Sequence, residues 1–409
     1  MSELFNLQIS PKAESSLQLL KDFMEKEVLP LEEDFHRSVN LEDIWTLSDS
    51  QNEIMESLKT KAKEKGLWNF FLPDWNGEGL SNLDYVYFAE EMGRSLIGPE
   101  VFNCSAPDTG NMEVLARYGT KEQQDKWLSP LLDGKIRSAY AMTEPNVASS
   151  DANNISTTAQ LKNNEWVING EKFYISGAGD KRCKVMIVMV KTNLNSETPL
   201  HKRQSQILVP MDSPGVEILG PMHVFGDVDA PHGHMHIRFN NCKVSKDNIL
   251  LGEGRGFEIS QGRLGPGRIH HCMRALGQAE IALDLLIKRG LSREAFGKPL
   301  IKLGGNFDIV ANSRIQLDAC RLLVLQAAKA MDTLGNKDAR VYISAVKAFV
   351  PKIVGEIIDH AIQMFGGAGV SQWTPLAKMY TNNRALRLAD GPDEVHRMVV
   401  ARAEISKYL

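Results

Sequence analysis

The stretch Arg387-Leu-Ala-Asp-Gly-Pro-Asp-Glu-Val-His396 holds Asp390, the residue on which our interpretation of this sequence depends. Taken alone, an aspartate before Gly391-Pro392 is typical of a turn, where its carboxylate bonds the local backbone. Here it follows a glycine-rich turn, Phe365-Gly-Gly-Ala-Gly369, and a short amphipathic segment. Its meaning therefore depends on what the rest of the chain contains.

Three regions of different sequence pattern follow one another along the chain. Apolar residues recur at helical spacing from about Ala13 to Asp133, with a turn-rich break at 73–79. Short β-rich runs separated by Asn, Gly and Pro clusters extend from about Arg137 to Leu250, and helical spacing then returns. Helices, then strands, then helices predict an α+β multidomain protein and not a doubly wound sheet. The predicted domains are an N-terminal helical domain over 1–136, a small antiparallel β-barrel or sandwich as the middle domain over 137–250, and a C-terminal four-helix bundle over 251–409.

Several individual elements can be placed within these regions. Asn163-Asn164 and Asn169-Gly170 should be turns that bracket one hairpin strand, because Asn-Gly is a strong turn signal. The first C-terminal helix should be interrupted around Gly265-Pro266-Gly267, because proline removes a helical hydrogen bond. The predicted C-terminal helices are Phe257–Arg289, Phe307–Leu334 and Ala339–Phe365.

Composition narrows the classes of function. The 409 residues carry a net charge of -4, which leaves no basic surplus to hold a nucleic-acid backbone. The five cysteines are scattered and form no CxxC pair, which argues against a disulfide framework or a structural zinc site and favours a reduced compartment. Residues 1–16 resemble neither a signal nor a transit peptide, and no run of about eighteen apolar residues occurs. We therefore expect a cytoplasmic protein with no membrane and no nucleic-acid partner.

Two patterns that could indicate a site are weak. Gly252-Glu-Gly-Arg-Gly256 resembles a phosphate-binding loop, but it lacks the GxGxxG spacing and a βαβ unit, so a domain connector is the better interpretation. His232, His234 and His236 alternate, so on a strand all three would face one way, as metal ligands might. Alternating polar residues are nevertheless ordinary on a solvated sheet face. We therefore predict no metal site.

A third group of residues suits a flavin. A flavin site needs donors near the ring, an aromatic surface, and small residues near the pyrophosphate. Thr143 carries a hydroxyl with backbone amides nearby, and Ser149-Ser150-Asp151 offers hydroxyl donors in a turn. Tyr174 and Ser176 supply an aromatic face and another hydroxyl. Each residue taken alone is more simply a strand or turn residue, but the set together favours a flavin.

The order and spacing of Tyr140–Pro145, Trp166–Ser176 and Arg387–His396 resemble the acyl-CoA dehydrogenase family, and the resemblance covers essentially the whole chain. It implies FAD as the cofactor and Asp390 as the catalytic carboxylate, which is usually Glu in the family. Some members place the carboxylate on the first C-terminal helix instead, where this chain has Gly267. The positions that the resemblance assigns to the cofactor are Tyr140, Met142, Thr143, Ser149, Ser150, Tyr174, Ser176, Arg293, Phe296, Gln363, Gly366, Gly367, Pro392 and Glu394, and those assigned to the substrate are Arg268, Ser150 and Gly391.

The resemblance also has finer implications. The motif at Ser149-Ser150-Asp151 is one residue longer than the usual one, so either serine could meet the flavin pyrophosphate. Gly262-Arg-Leu-Gly-Pro-Gly-Arg-Ile-His-His271 and the Asp390 segment are similar to a branch whose animal members form the C-terminal half of larger fused proteins. The segment Val224–Met235 departs from the usual family element, so substrate contacts there cannot be transferred.

Two segments imply that one subunit completes the cofactor site of its neighbour. Arg293-Glu-Ala-Phe-Gly297 resembles the family's Arg-x-x-Phe-Gly, and Gln363-Met-Phe-Gly-Gly367 is similar to its second cross-subunit clamp. Glycines there allow the backbone to approach a phosphate closely. The resemblance therefore implies a homodimer or a homotetramer built as a dimer of dimers.

The activity implied by the resemblance is α,β-dehydrogenation of an acyl-CoA thioester. Asp390 would remove the α-proton while hydride leaves the β-carbon for flavin N5, and an electron-transfer flavoprotein would accept the electrons. Two alternatives share the fold. A nitroalkane oxidase also uses an aspartate to deprotonate a small carbon acid, and a flavin-bearing protein could bind without catalysis, since a fold does not fix a function.

Overall fold

The chain divides into two compact units in a computed structural model that describes residues 3–72 and 79–409. The first, which we call the helical unit, comprises Met1–Glu33, Leu58–Cys104 and Gly265–Leu409. The second, which we call the β unit, comprises Asp34–Ser57 and Ser105–Leu264. Each unit combines distant segments of the chain, so the boundaries of the three predicted domains stay a prediction. The predicted break at 73–79 lies, apart from Gly79, outside the described residues.

The order of elements is helical, then β, then helical, as predicted. The helices are α1 (Pro11–Phe23), α2 (Leu29–Arg37), α3 (Asp49–Glu64), α4 (Asn82–Gly93), α5 (Gly98–Val101), α6 (Asp108–Tyr118), α7 (Lys121–Gln123), α8 (Ser129–Leu132), α9 (Gly256–Ser292), α10 (Asn306–Asp338), α11 (Arg340–Phe365), α12 (Leu376–Leu386) and α13 (Asp393–Ile405). The strands are β1 (Arg137–Ala141), β2 (Thr158–Lys162), β3 (Glu165–Ser176), β4 (Cys183–Lys191), β5 (Gln204–Pro210), β6 (Val216–Pro221), β7 (His234–Ser245), β8 (Glu294–Ala295) and β9 (Lys298–Pro299). The predicted α+β class is confirmed.

Long helices packed side by side form the helical unit. Serine side chains cap the starts of two of these helices. The Ser10 hydroxyl accepts a hydrogen bond from Ala13 N at the start of α1, and the Ser81 hydroxyl accepts one from Asp84 N at the start of α4. α10 packs on α11 and α4, and α11 packs on α12 and α13. The core is apolar, with Phe88, Leu317 and Val350 completely buried.

Two glycines let α4 and α9 touch backbone to backbone. A Cβ atom on Gly277 would lie 2.1 Å from the carbonyl oxygen of Glu90, and one on Gly93 would lie 2.2 Å from that of Arg274. Real Cβ contacts are not this short, so only glycine fits at either position. This contact fixes the position of α9, which carries Arg268, relative to α4.

The predicted interruption of the first C-terminal helix is wrong. α9 runs without a break from Gly256 to Ser292 and contains Pro266. Proline costs about 3 kcal/mol inside a helix, but most helical stability comes from tertiary packing. Ile269, Cys272, Met273 and Leu276 on the same helix are completely buried and outweigh that cost. The other two predicted helices correspond to α10 and α11.

One seven-stranded sheet forms the centre of the β unit. Its strands lie in the order β1-β4-β2-β3-β7-β6, and β5 pairs with β4. The middle β domain is confirmed, but the sheet is mixed and not wholly antiparallel, because β4 pairs in parallel with both β1 and β2. Its core includes Ile168, Val188 and Ile237, all completely buried.

The two predicted turns around β3 have different outcomes. Asn163 and Asn164 form the β2–β3 turn with φ of 52° and 64°, as a tight hairpin requires. Asn169-Gly170 is not a turn, because both residues lie inside β3 at a register shift. Gly170 has a φ of 147°, and a Cβ there would lie 2.5 Å from the Thr157 hydroxyl. The glycine therefore marks a bulge at a close approach.

No helix within residues 3–72 and 79–409 is both long enough and apolar enough to span a bilayer.

Because α4 and α9 touch backbone to backbone, one methyl group added at this contact should destabilise the protein measurably. Gly277→Ala should lower the free energy of unfolding by about 1–3 kcal/mol, because the Cβ would overlap the backbone of Glu90. Gly355→Ala in α11 is the control, since no described atom lies within 4 Å of a Cβ there. It should raise stability by about 0.5–1 kcal/mol. Urea unfolding curves measure both, and equal midpoints would contradict the close approach.

Candidate active site

Asp390 lies in a strained turn between α12 and α13. Its φ is 54° and that of Gly391 is 103°, so two consecutive residues adopt left-handed conformations. Aspartate tolerates this region better than most residues, and strain of this kind concentrates at functional sites. A Cβ on Gly391 would lie 3.0 Å from His396 Nε2, so a larger residue would also crowd that ring.

A buried lysine holds this turn in place. The side chain of Lys347 on α11 is completely buried. Its ammonium donates hydrogen bonds to the backbone carbonyls of Leu386, Ala389 (2.9 Å) and Gly391 (3.5 Å). Burial lowers the pKa of Lys347, and the three carbonyls compensate for lost hydration by using the three donors of the ammonium.

Four groups surround Asp390 itself. Arg268 Nε donates to the Asp390 carbonyl at 2.9 Å, and His396 Nε2 donates to the same oxygen at 3.3 Å. His271 Nε2 lies 3.5 Å from Asp390 Oδ2. A Cβ on Gly267 would lie 3.6 Å from that same oxygen. The structure therefore brings Arg268, which the resemblance assigns to the substrate, next to Asp390, and places Gly267 directly beside the carboxylate.

The surroundings of both histidines near Asp390 favour the neutral ring, because the pKa of each is lowered. Burial lowers the pKa of His271, which a hydrogen bond with Asp390 opposes and the charge of Arg274 reinforces. Burial, with the charges of Arg268 and Lys347, lowers the pKa of His396 to about 4. His396 completes its hydrogen bonding through Nδ1, 3.4 Å from the Ser344 hydroxyl. Sequence reasoning missed Lys347, His271 and His396 as parts of this site.

The remaining residues predicted around Asp390 are near it in the chain. Pro392 directly precedes α13, and Glu394 lies exposed in the first turn of that helix. Asp393, which was not predicted, is buried and accepts a hydrogen bond of 2.8 Å from Arg387 Nε, which closes the turn from the other side.

The predicted cross-subunit segments are exposed in the helical unit. Arg293 follows α9, and Phe296 in the adjoining β8–β9 turn is 94% exposed. Gln363, Gly366 and Gly367 lie exposed at the end of α11. Arg289 on α9 covers the ring of Phe365 on α11 at 5.2 Å, which links the ends of the two helices.

In the β unit, Tyr140 is engaged by protein groups. Its hydroxyl lies 3.0 Å from Ser260 Oγ and 3.0 Å from Gln206 Nε2. The guanidinium of Arg263 stacks on its ring at 3.9 Å. Tyr140 therefore ties β1 to the start of α9.

The loop that follows β1 is fixed by a buried ion pair. Lys172 Nζ donates to Glu144 Oε1 at 2.7 Å and to the Met142 carbonyl at 2.9 Å, and both charged side chains are almost completely buried. Phe173 N donates to the Thr143 carbonyl at 3.0 Å, so the backbone of Thr143 is held by β3. The Thr143 side chain is exposed. This pair was missed from the sequence, although Glu144 and Lys172 lie inside the quoted motifs.

Further hydrogen bonds stabilise the Glu144 carboxylate. Burial opposes its ionisation, but the charge of Lys172 and hydrogen bonds from Lys172, Ser156 and Thr157 outweigh burial and lower the pKa of Glu144 to about 2. The Ser149 hydroxyl accepts from Glu144 N at 2.8 Å and closes the loop. Ser150 is exposed. The two predicted serines thus differ: one is used within the loop and the other faces outwards.

Tyr174 and Ser176 lie together on β3. Tyr174 has a φ of 55° at a register shift and is 43% exposed. The Ser176 hydroxyl lies 2.8 Å from His234 Nδ1, and His234 Nε2 lies 3.4 Å from Asp229 Oδ2. Thr143, Tyr174 and Ser176 therefore occupy neighbouring positions on one part of the β unit.

The three alternating histidines have separate environments. His232 lies in the turn before β7 and not on the strand, while His234 and His236 are on it. His236 Nε2 lies 3.0 Å from Glu171 Oε2. Within the part of the chain that the structure describes, no group of three or more His, Cys, Asp or Glu side chains could hold a metal ion. Gly252–Gly256 lies between β7 and α9 and leads into the first residue of α9, where a Cβ on Gly256 would lie 2.8 Å from the β5 backbone.

Three family models cover nearly the whole chain. The models described as the N-terminal, middle and C-terminal domains of acyl-CoA dehydrogenase match residues 10–135, 139–242 and 254–405. The chain belongs to the acyl-CoA dehydrogenase family. The resemblance inferred from the sequence is thereby confirmed, as are the helical, β and helical domains of that fold.

Individual family members extend the similarity. Acyl-CoA dehydrogenase family member 10 of Mus musculus is 51% identical over 403 residues, covering 97% of this chain and 37% of its own length. Family member 11 of Gallus gallus is 50% identical and is covered over 51% of its length, so the chain spans between about a third and a half of the length of these two relatives. Probable acyl-CoA dehydrogenase FadE2 of Mycobacterium tuberculosis is 50% identical, with 98% of this chain and 97% of its own length covered.

Solved structures agree. A Mycobacterium abscessus protein named as an acyl-CoA dehydrogenase superposes with a TM-score of 0.93 at 48% identity, covering 98% of this chain and 100% of its own. Butyryl-CoA dehydrogenase of Megasphaera elsdenii, at 24% identity and a TM-score of 0.78 over 97% of this chain and 99% of its own, shares the fold.

The buried Glu144–Lys172 ion pair should make the stability of the protein depend strongly on both charges. Glu144→Gln should cost about 3–5 kcal/mol, because it leaves the ammonium of Lys172 buried without its partner. The double variant Glu144→Gln/Lys172→Met should recover part of that loss. Chemical denaturation measures the free energy of unfolding. The control is Glu165→Gln, which removes an exposed partner 4.0 Å from Lys243 and should cost less than about 1 kcal/mol.

The Glu144–Lys172 pair should also make the stability of the protein depend on pH in a defined range. The folded pKa of about 2 lies below the ordinary value of 4.5 for Glu144. Its stabilisation is therefore complete above pH 4.5 and is lost as the pH falls towards 2. The stability difference between the parent and Glu144→Gln should shrink across that window. A difference that stays constant from neutral pH to pH 3 would contradict an ionised Glu144.

Proposed function

We propose that this chain catalyses FAD-dependent α,β-dehydrogenation of an acyl-CoA thioester, with Asp390 as the base that removes the α-proton. The observation that carries the proposal is the convergence of two positions on one point. A Cβ built on Gly267 would lie 3.6 Å from Asp390 Oδ2, so a side chain at position 267 would reach the place that this carboxylate occupies. These are the two positions at which the family resemblance puts a catalytic carboxylate, and here one of them is filled.

The surroundings of Asp390 suit a base. Arg268 and Lys347 place two positive charges near a partly buried carboxylate, which favours its ionised form. Their hydrogen bonds go to backbone carbonyls of the turn, so they hold the base in place. Aspartate is one methylene shorter than the usual glutamate, and the left-handed turn sets how far its carboxylate reaches. A general base of this kind contributes about two to four orders of magnitude in rate.

The α-proton of a thioester is weakly acidic, so its removal needs stabilisation of the negative charge that develops on the thioester oxygen. Hydrogen-bond donors aimed at that oxygen supply such stabilisation. We assign one of them to the backbone N–H of Asp390, as the family resemblance implies. The turn fixes this N–H together with the carboxylate, so base and donor keep a constant spacing.

The exposed residues of each unit fit FAD. In the β unit, Thr143 and Ser150 present exposed hydroxyls and Tyr174 presents an exposed ring. In the helical unit, Gln363 is exposed, and no described atom lies within 4 Å of a Cβ on Gly366 or Gly367, so the backbone is open to a phosphate. When bound, FAD supplies a two-electron acceptor for the hydride of the β-carbon. We propose these residues, with Met142 and Ser176, as its ligands.

Tyr140 and Ser149 serve this proposal as supports and not as ligands. The Tyr140 hydroxyl contacts both Ser260 and Gln206. The Ser149 hydroxyl both accepts from Glu144 N and donates to the Glu144 carbonyl, whereas the Ser176 hydroxyl contacts only the ring of His234 among the described side chains. Ser150 is then the better candidate of the two serines for the flavin pyrophosphate.

We also propose a homo-oligomer, either a dimer or a dimer of dimers. Its support is the exposure of Arg293, Phe296 and Gln363 in the helical unit, together with Trp373, which is 80% exposed. Exposed aromatic surface of this kind is where a partner subunit can pack. An electron-transfer flavoprotein as acceptor, and a cytoplasmic location, stay predictions from the sequence.

The central prediction concerns Asp390→Asn, which keeps the side-chain shape but removes the base. Anaerobic mixing with a saturating straight-chain acyl-CoA should reduce the flavin about two to four orders of magnitude more slowly than in the parent. Flavin absorbance at rest should be unchanged. Bleaching at the parental rate would contradict the assignment, and bleaching of the parent by nitroalkanes but not by acyl-CoA would favour the nitroalkane-oxidase alternative.

A paired experiment uses the second carboxylate position. Asp390→Ala/Gly267→Glu should recover part of the rate lost in Asp390→Ala, because the Cβ of the new glutamate would lie 3.6 Å from the position that Asp390 Oδ2 occupies in the parent. The single variant Gly267→Glu shows whether the added side chain alone disturbs folding. No recovery in a well-folded double variant would argue against the convergence of the two positions.

Arg293→Ala should lower the flavin content of the purified protein and make it depend on protein concentration. The reason is that Arg293 is exposed on its own subunit and is proposed to reach the cofactor of a neighbour. Lys298→Ala, which removes an exposed charge from the same β8–β9 hairpin, is the control and should keep full flavin content. Full occupancy in a demonstrably monomeric protein, by absorbance and light scattering, would contradict the cross-subunit role.

A further inference from the structure

We propose that His271 is a positioning residue for Asp390: a neutral Nε2–H donor, held by Arg274, that keeps the carboxylate ionised and turned towards α9. The inference rests on the function proposed above for Asp390. It adds a residue on α9, outside the quoted motif of the base, whose Nε2 lies 3.5 Å from the carboxylate.

The contacts of His271 select one tautomer. Arg274 Nη2 lies 3.2 Å from His271 Nδ1. A guanidinium has donors and no acceptor, so Nδ1 must accept and cannot carry a proton. The proton of the neutral ring is therefore on Nε2, which lies 3.5 Å from Asp390 Oδ2. Arg274 is itself fixed, since its Nη1 donates to the Cys104 carbonyl at 3.4 Å.

The ring is also kept uncharged. A protonated His271 would direct an Nδ1–H at the guanidinium of Arg274 and add a second positive charge beside it. Burial and this repulsion both lower the pKa of His271, against the opposing hydrogen bond with Asp390. His271 is then a dipole that donates to Asp390 and not a second acid that competes for its proton.

His271 differs in its target from the other polar groups around the turn. Arg268 and His396 donate to the Asp390 carbonyl, and Lys347 donates to the carbonyls around it, whereas His271 faces the carboxylate. The titratable or charged groups near Asp390 are Arg268, His271 and Arg274 on α9, Lys347 on α11, and Asp393 and His396 on α13.

A distance of 3.5 Å is long for a hydrogen bond. Catalytic hydrogen bonds are often long without substrate and shorten when it binds. A donor on the charged form of an acid lowers the pKa of that acid. Bringing His271 and Asp390 closer would therefore hold the base ionised in the more enclosed surroundings that a bound acyl chain creates.

The test compares two substitutions of His271. His271→Leu removes the donor, so the acid limb of the pH profile of flavin reduction should move up by roughly one pH unit. His271→Gln keeps an N–H near the position of Nε2 and should restore most of the parental profile. A role in packing alone would change stability in both variants and would leave the limb where it is.

His270→Gln is the matched control. His270 is the neighbouring buried histidine, and its ring packs against Tyr85 at 4.8 Å. Whatever the stability of this variant, its pH profile should equal that of the parent. Flavin content and thermal unfolding of each variant establish that the protein is folded when the profiles are compared.

A second readout is independent of turnover. In ¹⁵N-histidine-labelled protein, the resonances that disappear in His271→Gln identify His271, and they should show a neutral Nε2–H tautomer between pH 6 and 8. A protonated ring or an Nδ1–H tautomer overturns the proposal, as does an unmoved acid limb in folded His271→Leu. If instead Asp390→Asn reduces flavin at the parental rate, the proposed function fails, which is a separate result.

Discussion

The ammonium of Lys347 is the interaction on which the geometry around Asp390 depends. It is completely buried and bonds the backbone on both sides of the aspartate, at Ala389 and Gly391. A buried charge without such partners would cost several kcal/mol, so the turn cannot easily take another shape. The strained φ of Asp390 is maintained because these bonds would be lost if the turn relaxed.

A buried lysine also supports a loop of the β unit, the one that follows β1. Lys172 is as deeply buried as Lys347 and also donates to a loop carbonyl, that of Met142. It differs in having a carboxylate partner, Glu144, which in turn receives hydrogen bonds from Ser156 and Thr157. In both units the residues proposed for chemistry are exposed or half-exposed, while their loops are fixed from beneath by a lysine. Rigid support of this kind keeps functional groups in one geometry.

The sequence was sufficient for the architecture, because the order of helical and β regions rests on local periodicity and on motifs at family spacing. It was insufficient where distant residues decide the outcome. Pro266 is a helix breaker locally, but the packing of α9 overrides it. Gly170 follows an asparagine as in a turn, but it serves a close contact with Thr157. Lys347 lies 44 residues from Gly391, and nothing in its neighbourhood distinguishes it from an ordinary helical lysine.

The face of α9 that meets Asp390 explains why an aspartate can stand where a longer acid is usual. Gly267 and His271 are four residues apart and therefore lie on the same side of the helix. At Gly267 the absent side chain leaves room beside Oδ2, and one turn later His271 directs its Nε2 at the same oxygen. A larger residue at 267 would occupy the space beside the carboxylate that Asp390 now faces. The short carboxylate proposed as the base, the glycine and the histidine thus form one arrangement, in which the helix brings a donor to a carboxylate that reaches less far than a glutamate would.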